Sequence, residues 1–231
     1  MPFMRKTTCL AILACCLIAV LSVSHIPSSG QTPACGRQPT VEDLLNRSIN
    51  LHQTNGTLIL AIDTLAGDHG VPIGIESSLF DKNDFDLTIN VDNAKLKDVL
   101  DMIVQQQPDY RWEERDGVIN LMPVKSRDEF VEELLNTQIH YFAPQKGLDQ
   151  FGIRDAIIDL PEVQRLLKAK GVKALRIAYY YHPRPYPDDL DLSMSETDVR
   201  GVLNKVVRET EYKTWGVTRS GDHLEFLNMV F

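Results

Sequence analysis

The chain contains the same short stretch twice, and this internal repeat constrains the fold more than any other feature. VEDLLN begins at Val41, and VEELLN begins 90 positions later at Val131. In both places a helix-like stretch is followed by a strand-like one. Because long-range self-similarity is typical of chains built from repeated units, the fold is expected to contain two similar halves.

The centre of each half has the pattern of a strand, a helix and a hairpin. In the first half, Leu87, Ile89 and Val91 alternate with polar residues, as in a half-buried strand. Apolar residues spaced as on one helical face follow, and the next two strands are separated by a turn at 116–117. Adding 103 to these numbers finds the same helical face in the second half. The two faces are Leu96, Val99, Leu100, Ile103 and Val104, and Val199, Val202, Leu203, Val206 and Val207.

The same shift superposes the only two tryptophans, Trp112 and Trp215. Equivalent positions in a repeat favour packing over function, so both indoles are predicted to be core residues.

Short polar residues and glycines predict where the helices begin and end. Asp92 or Asn93 is expected to cap the central helix of the first half, and Ser195 or Thr197 that of the second. Gly70 and Gly171 are expected to end the preceding helices, because glycine adopts the left-handed conformation without strain.

These patterns predict an α+β fold class with two tandem small domains. Each domain has two main helices packed on short mixed sheets, in the order strand, helix, strand, strand, helix, strand, strand. The domains are expected at 40–124 and 126–231, and the second carries an eleven-residue insertion near 143–160.

Residues 1–30 have the layout of a secretory signal peptide, and 31–39 look like a flexible segment. Arg5 and Lys6 precede a fifteen-residue apolar run, which is shorter than the roughly 20 residues of a spanning helix. Cleavage is therefore predicted, with no later membrane span. An uncleaved anchor and a lipid anchor on Cys15 or Cys35 are the alternatives. The expected location is across the inner membrane, in the periplasm or outside the cell.

Charge and cysteine content exclude several classes of partner and site. The formal net charge of −8 becomes −10 when Arg5 and Lys6 are removed, which argues against nucleic acid as a partner. Only Cys35 remains after cleavage, so no intramolecular disulfide is expected. A mixed disulfide with a partner, or no role, is the expectation for this thiol.

The first half resembles the secretin and TonB short N-terminal (STN) domain. The resemblance rests on the segments INLHQTNGTLILAIDTLAGDHGVPIGIE and LTINVDNAKLKDVLDMIVQQQPDYRWEERDGVINLM, within 49–122. The second half resembles the family less closely, because the insertion interrupts its start. The resemblance implies a periplasmic interaction domain without catalytic residues. No secretin body, plug or barrel follows residue 231 in this sequence, so a free-standing pair of such domains is expected.

No catalytic, metal or cofactor site is predicted. The mature histidines are not spaced as metal ligands, and no nucleophile motif occurs. The most unusual segment is YYYHPRPYP at 179–187, where tyrosines and arginine could form a contact surface. The alternative is a strand end with tyrosines in the core. The candidate partner-binding residues are Tyr179, Tyr181, His182, Arg184 and Tyr186.

The leading hypothesis is therefore a secreted or periplasmic protein, not an enzyme, that binds another periplasmic or cell-envelope protein, by adding to a sheet edge. One alternative is a small secreted hydrolase or carbohydrate-acting enzyme that uses acidic residues of the second domain, Asp188, Asp189, Glu209 and Glu211. Another is a structural subunit of a cell-envelope assembly.

Overall fold

A computed structural model describes residues 41–76, 85–126, 128–176 and 185–227. All of these residues belong to one compact unit. The predicted signal peptide and the flexible segment lie outside the described residues.

The first half has eight elements. They are α1 (Val41–Leu45), β1 (Ser48–Thr57), α2 (Leu58–Gly67), β2 (Ile73–Glu76), β3 (Phe85–Lys95), α3 (Leu96–Gln106), β4 (Tyr110–Arg115) and β5 (Val118–Pro123).

The second half has the same elements in the same order, with one helix added. They are α4 (Glu129–Leu135), β6 (Gln138–Phe142), α5 (Gln150–Ile158), α6 (Pro161–Lys170), β7 (Lys173–Ala174), β8 (Met194–Asp198), α7 (Val199–Glu209), β9 (Thr214–Ser220) and β10 (His223–Leu227). The added helix is α5, and it lies within the predicted insertion. The α+β fold class is confirmed.

Helix ends agree with the sequence pattern in one half of the molecule better than in the other. Gly171 ends α6 in the left-handed conformation, with a φ of 65°. Gly70 is also left-handed, with a φ of 60°, but α2 ends three residues earlier, at Gly67. The caps predicted for the central helices were wrong. Helix α7 is capped by Asp198, and α3 begins after Lys95 without a side-chain cap.

Strand pairing repeats in the two halves as well. Antiparallel β1 and β3 form a two-stranded sheet in the first half, and β6 and β8 form its counterpart in the second. Strands β4, β5 and β2 lie side by side in the first half, as do β9, β10 and β7 in the second. Parallel pairing of β2 with β9 joins the two triplets into one six-stranded sheet, in the order β4-β5-β2-β9-β10-β7.

This shared sheet lies between two hydrophobic cores. Strand β2 directs Ile73 and Ile75 into the first core, whereas a Cβ on Gly74 would point at Trp215 in the second. Strand β5 likewise gives Ile119 to the first core and Val118 to the second. Because successive side chains of a strand point to opposite faces, the two halves bury their apolar residues on opposite sides of the sheet. Each half thus has its own core, while independent folding of the two predicted domains stays a prediction.

Candidate functional site

The two tryptophans make the same hydrogen bond in the two halves. The indole N–H of Trp112 donates to Asp101 Oδ1 at 2.9 Å, and that of Trp215 donates to Asn204 Oδ1 at 2.8 Å. Asp101 and Asn204 are themselves 103 positions apart, in α3 and α7. This shared hydrogen bond identifies β4 with β9 and α3 with α7, residue by residue.

Their surroundings differ, because β2 covers one tryptophan and no described strand covers the other. Trp215 is 2% exposed, and Gly74 lies opposite it in the β2–β9 pair. A Cβ on Gly74 would lie 2.2 Å from the indole, so the absence of a side chain lets the strand pass over the ring. Trp112 is only half-buried at the margin of the first core. Both tryptophans were predicted to be core residues. Trp215 is fully in the core, whereas Trp112 is only partly so.

The face of α7 beside Trp215 forms a polar contact with the first half. Arg200 is paired with Glu76, and both side chains are buried. Burial raises the pKa of Glu76, although the Arg200 guanidinium acts in the opposite direction. Asn204 donates to the carbonyl of Arg115 at 3.3 Å, and Arg208 to that of Asp116 at 2.6 Å. Strand β2, which pairs with β9, is thus also held through its Glu76 by the oppositely charged Arg200 of α7.

The equivalent face of α3 is exposed. Lys97, Asp101 and Gln105 are the counterparts of Arg200, Asn204 and Arg208, and residues four apart share one side of a helix. All three are exposed, whereas Arg200 and Asn204 are buried. The first half therefore presents the same helix-and-strand arrangement as the junction, without a covering strand among the described residues.

Strand β4 also directs main-chain groups away from β5, towards a side where the described residues place no other strand. The N–H of Val124 donates to the carbonyl of Asp109 at 2.7 Å, next to the Tyr110–Pro123 pair of the β4–β5 register. Because alternate residues of an antiparallel strand direct their N–H and C=O groups to opposite sides, those of Trp112 and Glu114 point away from β5. We call the surface formed by these main-chain groups, the Trp112 indole and the α3 side chains 97, 101 and 105 the β4 edge.

The residues predicted to bind a partner lie elsewhere. Tyr179, Tyr181, His182 and Arg184 fall outside the described residues. Tyr186 is 7% exposed and packs edge-on against Tyr212, with ring centroids 5.7 Å apart. This placement fits the alternative interpretation, in which a tyrosine of this segment belongs to the core. Partner contact by the other four residues stays a prediction.

Acidic residues of the second half line one cleft of about 640 Å³, namely Asp189, Asp191, Glu209 and Glu211. All four side chains are exposed. Ser193 donates to Asp191 through its N–H and its hydroxyl, and these hydrogen bonds hold the pKa of Asp191 below its usual value. Asp188, the fourth acid suggested from sequence, is not among the residues that line this cleft. The arrangement is that of solvated carboxylates beside a loop.

A second cleft, of about 420 Å³, lies at the junction of the two halves. Four arginines line it, and each is paired with a carboxylate. The pairs are Arg111 with Glu113, Arg115 with Asp198, Arg200 with Glu76, and Arg219 with Asp128. Because positive and negative charges are matched, this cleft has no excess charge for an anionic ligand.

Within the described ranges, no group of three or more His, Cys, Asp or Glu side chains is placed to hold a metal ion. None of the helices in those ranges is long and apolar enough to span a membrane. No protein-family model, curated protein or solved structure matches the chain. The resemblance to the STN domain therefore rests on the sequence pattern alone.

The β4 edge was missed from the sequence, although one signal pointed to it. The equivalence of Trp112 and Trp215 is visible in the sequence, but equivalence alone indicates packing. An isolated glycine inside a strand, such as Gly74, indicates close approach of another group. Recognising that Gly74 faces Trp215 required the pairing of β2 with β9, which no local pattern encodes.

Proposed function

We propose that the protein is a non-enzymatic binding module that captures an extended segment of another protein along the β4 edge. One observation carries the proposal. The counterpart of this edge, on β9, already accepts a strand at the junction of the two halves. The STN-like pattern favours the same class of function, and the N-terminal segment favours a periplasmic or extracellular location and a partner there.

The geometry of the edge suits strand addition. Free N–H and C=O groups provide affinity in this binding mode, and neighbouring side chains provide selectivity. Exposed strand edges are usually protected against unwanted pairing by charged residues. Four of the six β4 residues are charged, and this makes the edge selective for a complementary strand.

Site-directed crosslinking tests the proposal. A photoreactive residue replaces Gln105 on the exposed α3 face, and a control replaces Leu60, which is 52% exposed on α2. In an extract of the compartment to which the protein is exported, we expect one discrete crosslinked species from position 105 and none from position 60.

Two variants of one residue identify the main chain of β4 as the binding group. Glu114→Pro removes the outward N–H, whereas Glu114→Ala removes only the side chain. The crosslinked species should disappear with proline and persist with alanine, while the unfolding midpoints of both variants show that they are folded. The proposal would be contradicted if positions 60 and 105 gave the same crosslinked species. It would also be contradicted if the species from position 105 persisted in the Glu114→Pro variant.

A hydrolase acting in the acidic cleft is a second candidate, because the structure brings Asp189, Glu209 and Glu211 to one cleft as that hypothesis requires. Glycoside hydrolysis needs one carboxyl group held protonated as a general acid. Release of reducing sugar from a panel of polysaccharides, abolished in Glu209→Gln and Glu211→Gln variants, would support this candidate. A structural role in a cell-envelope assembly would instead appear as a stable, stoichiometric complex after crosslinking.

A further inference from the structure

We propose that the strand accepted by the β4 edge runs parallel to β4, has glycine opposite Trp112 and has a basic residue two positions after that glycine. This inference rests on the proposed function and deepens it by stating the chemistry of the partner segment.

The junction between the halves supplies direction and register. Strand β2 runs parallel to β9, with Gly74 opposite Trp215 and Glu76 opposite Val217. The N–H of Ile73 donates to the carbonyl of Lys213 at 2.8 Å. Subtracting 103 from the β9 numbers gives Tyr110, Trp112 and Glu114 on β4. A strand bound there in the same register therefore meets the peptide groups of Trp112 and then those of Glu114.

The requirement for glycine follows from the tryptophan. Both indoles are held by the same hydrogen bond to the adjacent helix, so Trp112 presents its ring to an incoming strand as Trp215 does to β2. In the junction, even a Cβ at position 74 would overlap the ring, at 2.2 Å. A larger side chain opposite Trp112 would have to displace the indole and break its bond to Asp101.

The requirement for a basic residue follows from a reversal of charge between two surfaces, the one formed by α7 and β9 and the one formed by α3 and β4. On α7 the junction side carries Asp198, Arg200 and Arg208, which together have a net positive charge, and it receives Glu76. Their counterparts are Lys95, Lys97 and Gln105, and three acids replace neutral residues nearby. These acids are Asp98 for Gly201, Asp101 for Asn204 and Glu114 for Val217. The net charge of the α3 and β4 surface is therefore negative. Lys97 keeps the sign of Arg200, but Asp98 and Asp101 offset it, and Glu114 lies directly opposite the position that Glu76 occupies in the junction.

A second copy of the chain does not meet these requirements. The strand equivalent to β2 is β7, at the other end of the six-stranded sheet. In this part of the repeat the offset is 101, as between Gly70 and Gly171, so the residue equivalent to Gly74 is Leu175, which directly follows β7. Its side chain would collide with Trp112, so copies cannot repeat the internal junction end to end. The fitting occupant is a segment of a different protein.

Three synthetic peptides test the inference against the purified protein. The first, VPIGIKVT, copies residues 71–75 and places lysine where Glu76 stands. The second carries glutamate in place of that lysine, and the third carries leucine in place of the glycine. We expect the first peptide to bind about tenfold or more tightly than either of the others, because like charges or steric overlap oppose those two. Calorimetry measures each affinity, and quenching of Trp112 fluorescence places the peptide on the edge.

Protein variants make the test specific. Glu114→Lys should reverse the preference between the lysine and glutamate peptides, and Glu114→Pro should abolish binding of the first peptide while Glu114→Ala retains it. Equal affinity for the three peptides, or no binding of any, would overturn the inference. A concentration-dependent dimer that Glu114→Pro dissociates would also overturn it, by assigning the edge to a second copy. If crosslinking from position 105 succeeds while the peptides show no preference, the proposed function stands and only the partner chemistry fails.

Discussion

Gly74 and Trp215 face each other across the strand pair that joins the two halves, and a Cβ on this glycine would lie 2.2 Å from the indole. The neighbouring atoms belong to the indole of Trp215, which is 2% exposed and lies in the second core. The contact therefore depends on glycine for its lack of a side chain.

Gly74→Ala should destabilise the protein by about 1–3 kcal/mol, as expected for overpacking of a well-filled core. Gly67→Ala is the matched control, because a Cβ at that helical position meets nothing within 4 Å. It should leave stability unchanged or raise it by up to about 1 kcal/mol, since alanine favours the helix. Urea unfolding of the two variants measures both effects. Equal loss in the two would show that the close approach to Trp215 is not the cause.

The buried pair of Glu76 and Arg200 gives a second prediction. Replacing either residue by methionine leaves the other charge buried without its partner, and this should cost about 3–5 kcal/mol. The double variant should be more stable than either single variant, because no buried charge is left.

An exposed pair provides the comparison for this double-mutant cycle. Lys170 and Glu133 are 2.6 Å apart, with side chains 47% and 48% exposed. Their coupling should be below about 1 kcal/mol. Unfolding free energies of the original protein and of the three variants in each cycle supply both couplings. Additive losses for Glu76 and Arg200 would mean that the pair does not hold the junction together.

The tryptophans should respond differently to the same substitution. Trp215→Ala removes a fully buried side chain and should cost about 3–5 kcal/mol. Trp112→Ala should cost less, because part of that side chain is already in water. In single-tryptophan proteins made with phenylalanine at the other position, acrylamide should quench Trp112 more strongly than Trp215. Similar quenching of the two would contradict the exposed β4 edge.

The repeat and its element order were predictable because apolar periodicity identifies strands and helices locally. Cap positions were harder to predict. Asp92 and Asn93 do not cap α3, because β3 continues through them to Lys95 before the helix begins. In the second half Asp198 caps α7 instead of Ser195 or Thr197, because its carboxylate accepts the N–H of Gly201 at 2.8 Å.

The candidate site could not be predicted in the same way, since it depends on which strands are neighbours. Sequence periodicity places Ile73 and Thr214 on strands but does not pair them across the 141 positions that separate them. That pairing shows that β9 has β2 along one edge. The same edge of its counterpart β4 has no partner strand among the described residues. The candidate site exists because one edge of β4 is open while the equivalent edge of β9 is paired with β2, although the two halves look equivalent in sequence.

Asp63 predicts a dependence of stability on pH. This carboxyl lies on α2, and burial raises its pKa to about 6 from an ordinary value of 3.8. The folded state therefore keeps a proton that the unfolded state has lost between these two values, so stability decreases as pH rises from about 4 to about 6. The loss should be on the order of 1–2 kcal/mol, because the side chain is only partly shielded from water.

Asp63→Asn should remove this component and make the protein more stable than the original at pH 7, with little difference at pH 4. Asp68→Asn, which deletes the same charge from an exposed position beyond the end of α2, controls for net charge. Urea midpoints of the three proteins at half-unit intervals between pH 4 and 7 give the comparison. If Asp63→Asn and Asp68→Asn follow the same curve, the buried carboxyl is not responsible, and the charge alone accounts for the change.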